Sequence, residues 1–325
     1  VLKRTVIVFL LSFALGISGL YLALGEAVFR PETYRVQSSG LLIVGLAIVS
    51  FLAKWLAPAV RVWLLCRGQK VYLSYRSAIL AHLSAIFGAA LAPQNTGFAP
   101  ATVAALSRLG VPVGTGIGVA IQIAVLDLIF FAWSIPAGVV YLIRSGTLEL
   151  LPGARGAAFA AAGLAVIAAV FLSRYPRLVV SLILAAARWR VMARFAPRLR
   201  RVARDYYRSM REFLRLPASY WSMLHLATAA GWFGGFVLLW ALLRLYGSGA
   251  GLLATLAILN TITLISHFVP TPGAAGFVEA AVGLAVGPDG SPAALLIWRL
   301  AGFYMIFAVG PAAVWLLYSF TRNRK

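Results

Sequence analysis

Apolar residues along this chain come in long runs separated by short polar or basic connections. Uninterrupted runs cover 5–24, 40–60, 115–143, 156–173, 219–246 and 293–319. A helix of about 20 apolar residues crosses a hydrocarbon core of ~30 Å, so each run predicts one spanning helix. The ten-residue segments of alternating polarity that build membrane barrels do not occur in this pattern. Two further stretches, 77–110 and 252–287, are apolar but interrupted. The first contains "LAPQNTGFAPATVAALSRLG" and the second "FVPTPGAAGFVEAAVG". Proline has no amide proton and glycine permits turns that other residues resist, so both stretches should break, near 93–100 and 270–273. Irregular backbone at membrane depth is tolerated only where it is buried in protein or lines a watery cavity.

Charge decides how these stretches thread the membrane. Lys3 and Arg4 place the N-terminus in the cytoplasm by the positive-inside rule. The loop "GEAVFRPETYRVQSSG" balances Glu26 and Glu32 against Arg30 and Arg35 and suits the outside. Arg61, Arg67, Lys70 and Arg76 mark the next connection as cytoplasmic, as do the basic residues of 174–216 and the final "TRNRK". This parity closes only if 77–110 enters from the cytoplasm and returns there, and 252–287 enters from outside and goes back out. The expected fold is therefore an all-α integral membrane protein with six full spans and two re-entrant helical hairpins. Residues 1–143 (re-entrant 77–110) and 156–320 (re-entrant 252–287) follow the same order from opposite sides, an inverted 4+4 repeat of the kind many secondary transporters use. The breaks also match weakly in sequence, "PQNTGFAPA" from Pro93 against "PGAAGFVEA" from Pro272.

Composition supports the membrane reading and removes other classes. Of 325 residues 62% are hydrophobic and 11% charged, with a mean hydropathy of +0.91, far above a soluble domain. The net charge of +21, from 29 Lys and Arg against 8 Asp and Glu, sits between apolar runs. Anionic lipid head groups are thus the expected partner and nucleic acid is not. One cysteine, Cys66, excludes an internal disulfide and a cysteine zinc site. The first apolar run has the length of an uncleaved helix and no small-residue cleavage site. No phosphate-binding loop, nucleophile elbow or metal-ligand spacing occurs, so no catalytic residue, metal or cofactor is expected. A homo-oligomer is compatible with the sequence.

Ionisable residues inside apolar runs cost at least ~2.5 kcal/mol each at a helix centre and mark candidate sites. Asp127 lies in "GVAIQIAVLDLIFFAW", Glu279 follows the second break, and Arg299 lies in "LLIWRLAGFYM". Glu279 and Arg299 belong to the same half and can pair. A bland alternative makes Glu279 a first-turn acid complementing a half-helix dipole and Asp127 one end of an interhelical salt bridge. His267 lies one turn before the second break, while His82 and His225 read as isolated polar core residues. Asn95 and Thr271, at the two breaks, complete the candidate substrate-binding or coupling set of Glu279, Arg299, Asp127 and His267. Pro93, Gly97, Pro270, Pro272, Gly273 and Gly276 shape the breaks. Arginine can grip a phosphate in two-pronged fashion, which lysine cannot.

Between the halves, 188–215 reads "RWRVMARFAPRLRRVARDYYRSMREFLR". Met192, Phe195, Leu199, Val202, Tyr206, Met210 and Phe213 form one helical stripe. Arg194, Arg198, Arg201, Arg204 and Arg208 occupy the other face, so the segment is expected to lie on anionic lipid at the cytoplasmic surface.

"PTPGAAGFVEAAVGLAV", "IWRLAGFYMIFAVGPAAVWLL" and "LAPQNTGFAPATVAALSRLGVPVGTGIGVAIQIAVLDLIFF" resemble the lysylphosphatidylglycerol synthase transmembrane (flippase-like) family over most of the chain. The resemblance implies a plasma-membrane protein, both termini cytoplasmic, that moves a phosphate-bearing polar lipid between leaflets. It also aligns Glu279 and Arg299 with the family's acidic and basic positions. Phe98, Ala99 and Pro100 follow Gly97, where many members carry a charge, which argues against two symmetric carboxylates. Relatives that synthesise the lipid add a soluble aminoacyl-transferase domain, which these residues lack, so that enzyme is not expected. A membrane-embedded enzyme acting on lipid or polyprenyl phosphates and a lipid-binding scaffold are the alternatives.

Overall fold

The computed structural model describes residues 2–37, 40–145, 163–164, 167, 171, 175–186, 195–286 and 291–322. Among them the chain is all helix, with no strand. The helices are α1 Leu2–Leu24, α2 Leu41–Gly68, α3 Tyr75–Ala90, α4 Phe98–Arg108, α5 Val113–Arg144 and α6 Pro176–Ala186. They continue as α7 Ala196–Leu214, α8 Ala218–Leu245, α9 Leu252–Ser266, α10 Phe277–Val286, α11 Pro292–Arg299 and α12 Ile306–Arg322, with one π-helical turn, Leu300–Tyr304, between the last two. Among the described residues five stretches are long and apolar enough to cross a membrane: Thr5–Phe29, Leu41–Gly68, Val113–Arg144, Ala218–Leu245 and Pro292–Ser319. The protein is thus a multi-pass membrane protein. The expected span over 156–173 lies outside the described residues apart from four positions.

Both interrupted stretches are helix, break, helix. Gly88 in α3 and Ala101 in α4 touch, since a Cβ on Gly88 would lie 2.4 Å from that of Ala101. Residues thirteen apart meet this way only if the chain doubles back. The two ends of α3–α4 share one apolar cluster: Ala78 and Ala81 from its start, Ala105 and Leu106 from its end, with Leu64, Leu65, Leu224 and Leu317. The second hairpin belongs to a different cluster, in which Leu259, Ile262, Val278 and Val282 meet Leu20, Val28, Leu242 and Leu295. Polar contacts mark that opposite end of the bundle: Gln37 N–H donates to Leu245 O at 2.9 Å, and Ser291 Oγ to Thr33 O at 3.2 Å.

Two expectations need correcting. Arg61 was assigned to a cytoplasmic connection, yet α2 continues to Gly68 and buries Arg61. A basic residue near the end of an apolar run reads as the start of a loop, whereas a paired charge can stay inside a helix. The apolar stripe of α7 was expected to face lipid, yet Tyr206, Met210 and Phe213 are buried in the bundle. Gly114 and Gly118 of α5 admit α7 closely, because a Cβ on Gly114 would meet the Val202 carbonyl and one on Gly118 the Ser209 hydroxyl. A buried ring of Gln69, Gln122 and Ser209 then ties α2, α5 and α7 together. Periodicity reveals an apolar face but not what covers it. Arg198, Arg201, Arg204 and Arg208 are exposed on the other face, and Met192 and Arg194 lie outside the described residues.

The frame of the bundle is the contact of α2 with α8. Gly231 packs on Pro58, and a Cβ on Gly234 would lie 2.7 Å from Lys54 N and 2.8 Å from Ser50 O. Small residues that let backbones approach are the usual basis of helix association in lipid, where no hydrophobic force drives it. Gly234→Ala should therefore destabilise the purified protein by about 1–3 kcal/mol, as overpacking does. Gly45→Ala, on the partner helix α2 with nothing within 4 Å of its Cβ, should be near neutral. Thermal unfolding in detergent compares the two, and equal effects would contradict this packing.

Candidate functional site

The two breaks adopt the same backbone shape. Gln94 and Asn95 have φ of 52° and 56°, and Gly273 and Ala274, at the matching positions after Pro93 and Pro272, have 60° and 50°. Consecutive left-handed residues are rare outside glycine and cluster at functional turns. The turns also share hydrogen bonds: Thr96 N–H to Pro93 O mirrors Ala275 N–H to Pro272 O, and Ala101 N–H to Gly97 O mirrors Ala280 N–H to Gly276 O. Most directly, the tips touch. Pro93 and Pro272 face each other in an antiparallel backbone bridge, and Gln94 Nε2 reaches Phe268 O at 3.4 Å.

Behind the second tip, Glu279 occupies the first turn of α10 and is 1% exposed. Its Oε2 accepts the Gly276 N–H at 2.9 Å, the half of a capping box in which an acid three residues on reaches back to the helix start. Its Oε1 accepts Arg299 Nε at 2.7 Å and lies 3.1 Å from the Tyr304 hydroxyl, which is also 2.9 Å from Ser12 O. Arg299 Nη2 donates to Gly273 O at 3.2 Å, and its guanidinium lies over the Phe303 ring at 4.7 Å. One ion pair therefore closes both sides of the break, capping an amide with the acid and a carbonyl with the base.

The π-helical turn after Arg299 has a specific cause and consequence. Met305 N–H turns back to Leu300 O, which releases the Ala301 carbonyl that an α-helix would have given it. Trp55 Nε1 takes that carbonyl at 3.1 Å. Trp298 Nε1 donates to Gly235 O at 2.8 Å, so indoles fix the turn to α2 and α8. Such bulges recur at functional sites.

Helix α1 covers the pair. A Cβ on Gly16 would fall 2.2 Å from the Tyr304 hydroxyl and 2.8 Å from Glu279 Oε1, and one on Gly19 would overlap the Gly276 carbonyl. The crevice between Phe13, Ile17, Leu296 and the ion pair is too narrow for a water molecule. No head-group cavity is open there. The tips instead leave Gln94, Thr96 and Pro270 exposed on their outer side.

Asp127 stands in a separate cluster. Arg61 Nη1 bonds its Oδ1, Trp232 Nε1 donates to the same oxygen at 2.9 Å, and Arg61 Nη1 also lies 3.4 Å from Thr228 Oγ1. His267 joins this side: its ring sits 6.4 Å from Trp232 and 6.3 Å from Phe131, with Nδ1 2.8 Å from Thr263 O. Thr271 Oγ1 donates within its own turn to Ala275 O at 3.0 Å. Asn95 supplies a carbonyl to Phe98 N–H. Of the expected set, Glu279 and Arg299 are in direct contact, while Asp127 and His267 belong to the Trp232 cluster.

Sequence reasoning missed Arg61, Tyr304 and Lys54. Lys54 and Arg61 are seven residues apart, two helical turns on one face of α2, and that spacing inside an apolar run was the available signal. Nothing distinguished Tyr304 from other aromatics.

The sequence profile of the lysylphosphatidylglycerol synthase TM region matches residues 1–310. The chain belongs to that family. No curated protein and no solved structure matches it. The family sets the function in a membrane-lipid context, and the match spans both breaks, both ion pairs and α7.

Removing one partner of a buried ion pair leaves an uncompensated charge and costs about 3–5 kcal/mol. Glu279→Gln should therefore destabilise the protein by that order, and adding Arg299→Met should restore part of it. Chemical unfolding in detergent measures both, and a double variant weaker than the single would refute the coupling.

Proposed function

We propose that the protein is a lipid transporter that moves a phosphate-containing polar head group between leaflets of the plasma membrane without making or breaking bonds. The observation that carries this reading is the contact of two identically shaped breaks, at Pro93 and Pro272, beside the buried pair of Glu279 and Arg299. Broken helices meeting between repeats are where secondary transporters bind substrate.

In this reading each hairpin is re-entrant from its own side, and the halves 1–143 and 156–320 form an inverted repeat with six full spans. Support comes from the separate apolar clusters that hold the two ends of each hairpin. The N- and C-termini then lie in the cytoplasm, with the exposed arginines of α7 toward anionic lipid. Arg299 holds the phosphate, Glu279 releases and recaptures the arginine, and Asn95, Thr271 and His267 line the approach. Asp127 with Arg61 braces the neighbouring helices. The covered pair represents a closed state, and opening requires α1 to part from α10 at Gly16 and Gly19.

Topology is testable first. In a Cys66→Ala background, cysteines at Ser74 and Gly110 should react with an impermeant maleimide from the cytoplasmic side. Cysteines at Gly249 and at Asp289, between α10 and α11, should react from outside; labelling of Ser74 and Gly110 from opposite faces would refute the re-entrant hairpin.

Function follows in vesicles of phosphatidylcholine with a trace of acyl-labelled phosphatidylglycerol, where dithionite quenching reports transbilayer movement. The protein should accelerate quenching of the inner-leaflet label. The Glu279→Gln/Arg299→Met double variant, shown to be folded by size exclusion, should lose at least tenfold in rate. An unchanged rate in that variant would remove the pair from the transport path.

A further inference from the structure

We infer that Lys54 is an anion subsite which makes this protein select head groups carrying an uncompensated phosphate charge over zwitterionic ones. The inference rests on the transport reading for its biological sense and on the charge geometry for its chemistry.

Lys54 lies midway along α2, which runs Leu41–Gly68. At 1.5 Å rise per residue it is ~20 Å from either helix end, beyond what a lysine stem can reach by snorkelling to the interface. An ammonium at that depth is expensive and calls for a partner. The described ion pairs in the spanning region join Arg61 to Asp127 and Arg299 to Glu279. Those two acids are therefore engaged, and neither bonds Lys54. No hydrogen bond or ion pair to the Lys54 ammonium occurs among the described residues. Three cations face two carboxylates, which leaves one positive charge over.

The side chain is held in a built slot. Its ammonium runs between Gly235 of α8 and Gly302 of the π-helical turn: a Cβ on Gly235 would lie 3.4 Å from Nζ, and one on Gly302 3.2 Å from Cε. Trp298, adjacent to Arg299, bonds the Gly235 carbonyl, and Trp55, adjacent to Lys54, bonds Ala301. The two indoles thus fix Lys54 and Arg299 relative to each other, and Gly302, against which the Lys54 stem packs, lies only three residues after Arg299. Like charges held together by rigid neighbours make a site for an anion with two free oxygens, such as a phosphodiester: the ammonium as a point charge, the guanidinium as a fork. A phosphate bridging Lys54 and Arg299 neutralises the surplus. A head group that brings its own ammonium does so less well, because it adds back a positive charge.

The test uses the full chain in detergent and variants Lys54→Gln and Lys54→Arg. Native mass spectrometry of protein offered equal phosphatidylglycerol and phosphatidylcholine should show preferential retention of phosphatidylglycerol. Lys54→Gln should abolish that preference, a loss of roughly tenfold, and Lys54→Arg should keep most of it. A purely structural lysine would lower the thermal midpoint when replaced, whereas removal of an uncompensated charge should leave the midpoint equal or higher. An unchanged preference in Lys54→Gln overturns the subsite whatever the transport result. Preference present in the wild type and lost in Lys54→Gln, with no lipid moved in vesicles, would uphold the subsite and overturn the transport reading.

Discussion

The structure depends on one carboxylate that repairs a broken backbone inside an apolar medium. At the second break, Gly276 and Gly273 expose a donor and an acceptor that no helix satisfies. Glu279 and Arg299 bond these two groups and each other. An unpaired amide or carbonyl in such surroundings costs on the order of several kcal/mol, and at this break the ion pair removes both costs. Structural and functional readings of Glu279 are then not alternatives. Its Oε2 is a helix cap, while its Oε1 holds the arginine that a phosphate would compete for. In the proposed transport, a ligand taking Arg299 Nε from Glu279 would weaken the closure of the same turn that shapes its site, a direct physical link between binding and opening.

That link gains meaning from what surrounds it. Helices α2 and α8 approach through Gly231 and Gly234 with almost no room for adjustment, and α5 and α7 are locked by the Gln69, Gln122 and Ser209 ring. The tips are different: they meet at one backbone bridge and one long amide contact, and their outer residues are exposed. In the proposed transport, a rigid frame with weakly joined tips would let local charge competition become movement rather than general loosening.

Legibility in the sequence followed the physics of each signal. Proline and glycine act locally, so the breaks at 93–100 and 270–273 were readable to within a few residues, and the structure shows them at 91–97 and 267–276. Glu279 and Arg299 stood out because charge in an apolar run has few explanations. Charge at a helix end has many, and so Arg61 was absorbed into a loop although it is buried against Asp127. The stripe on α7 carried real information about an apolar face, yet protein and lipid are equally apolar covers. Tyr304 needed the third dimension: its hydroxyl matters through Ser12 and Glu279, residues 292 and 25 positions away.

Among the described residues, the half-buried pair of Arg61 with Asp127 and the buried pair of Arg299 with Glu279 differ in what they join. Arg61 and Asp127 connect α2 and α5, helices of 28 and 32 residues that are each anchored along their length. Glu279 sits instead on α10, ten residues long, too short to be stable without tertiary support. Arg299 sits on a long span at the point where that span changes to π geometry. The same chemistry therefore joins two long helices in one place and ties a short half-helix to a long span in the other. In the proposed transport, a phosphate competing for Arg61 would meet a partner acid on a 32-residue helix, whereas competition for Arg299 would release an acid on a helix of ten. Charge alone would make the two pairs equivalent, and it is the length of the helix behind each acid that would let one act as a brace and the other as a gate in the proposed transport.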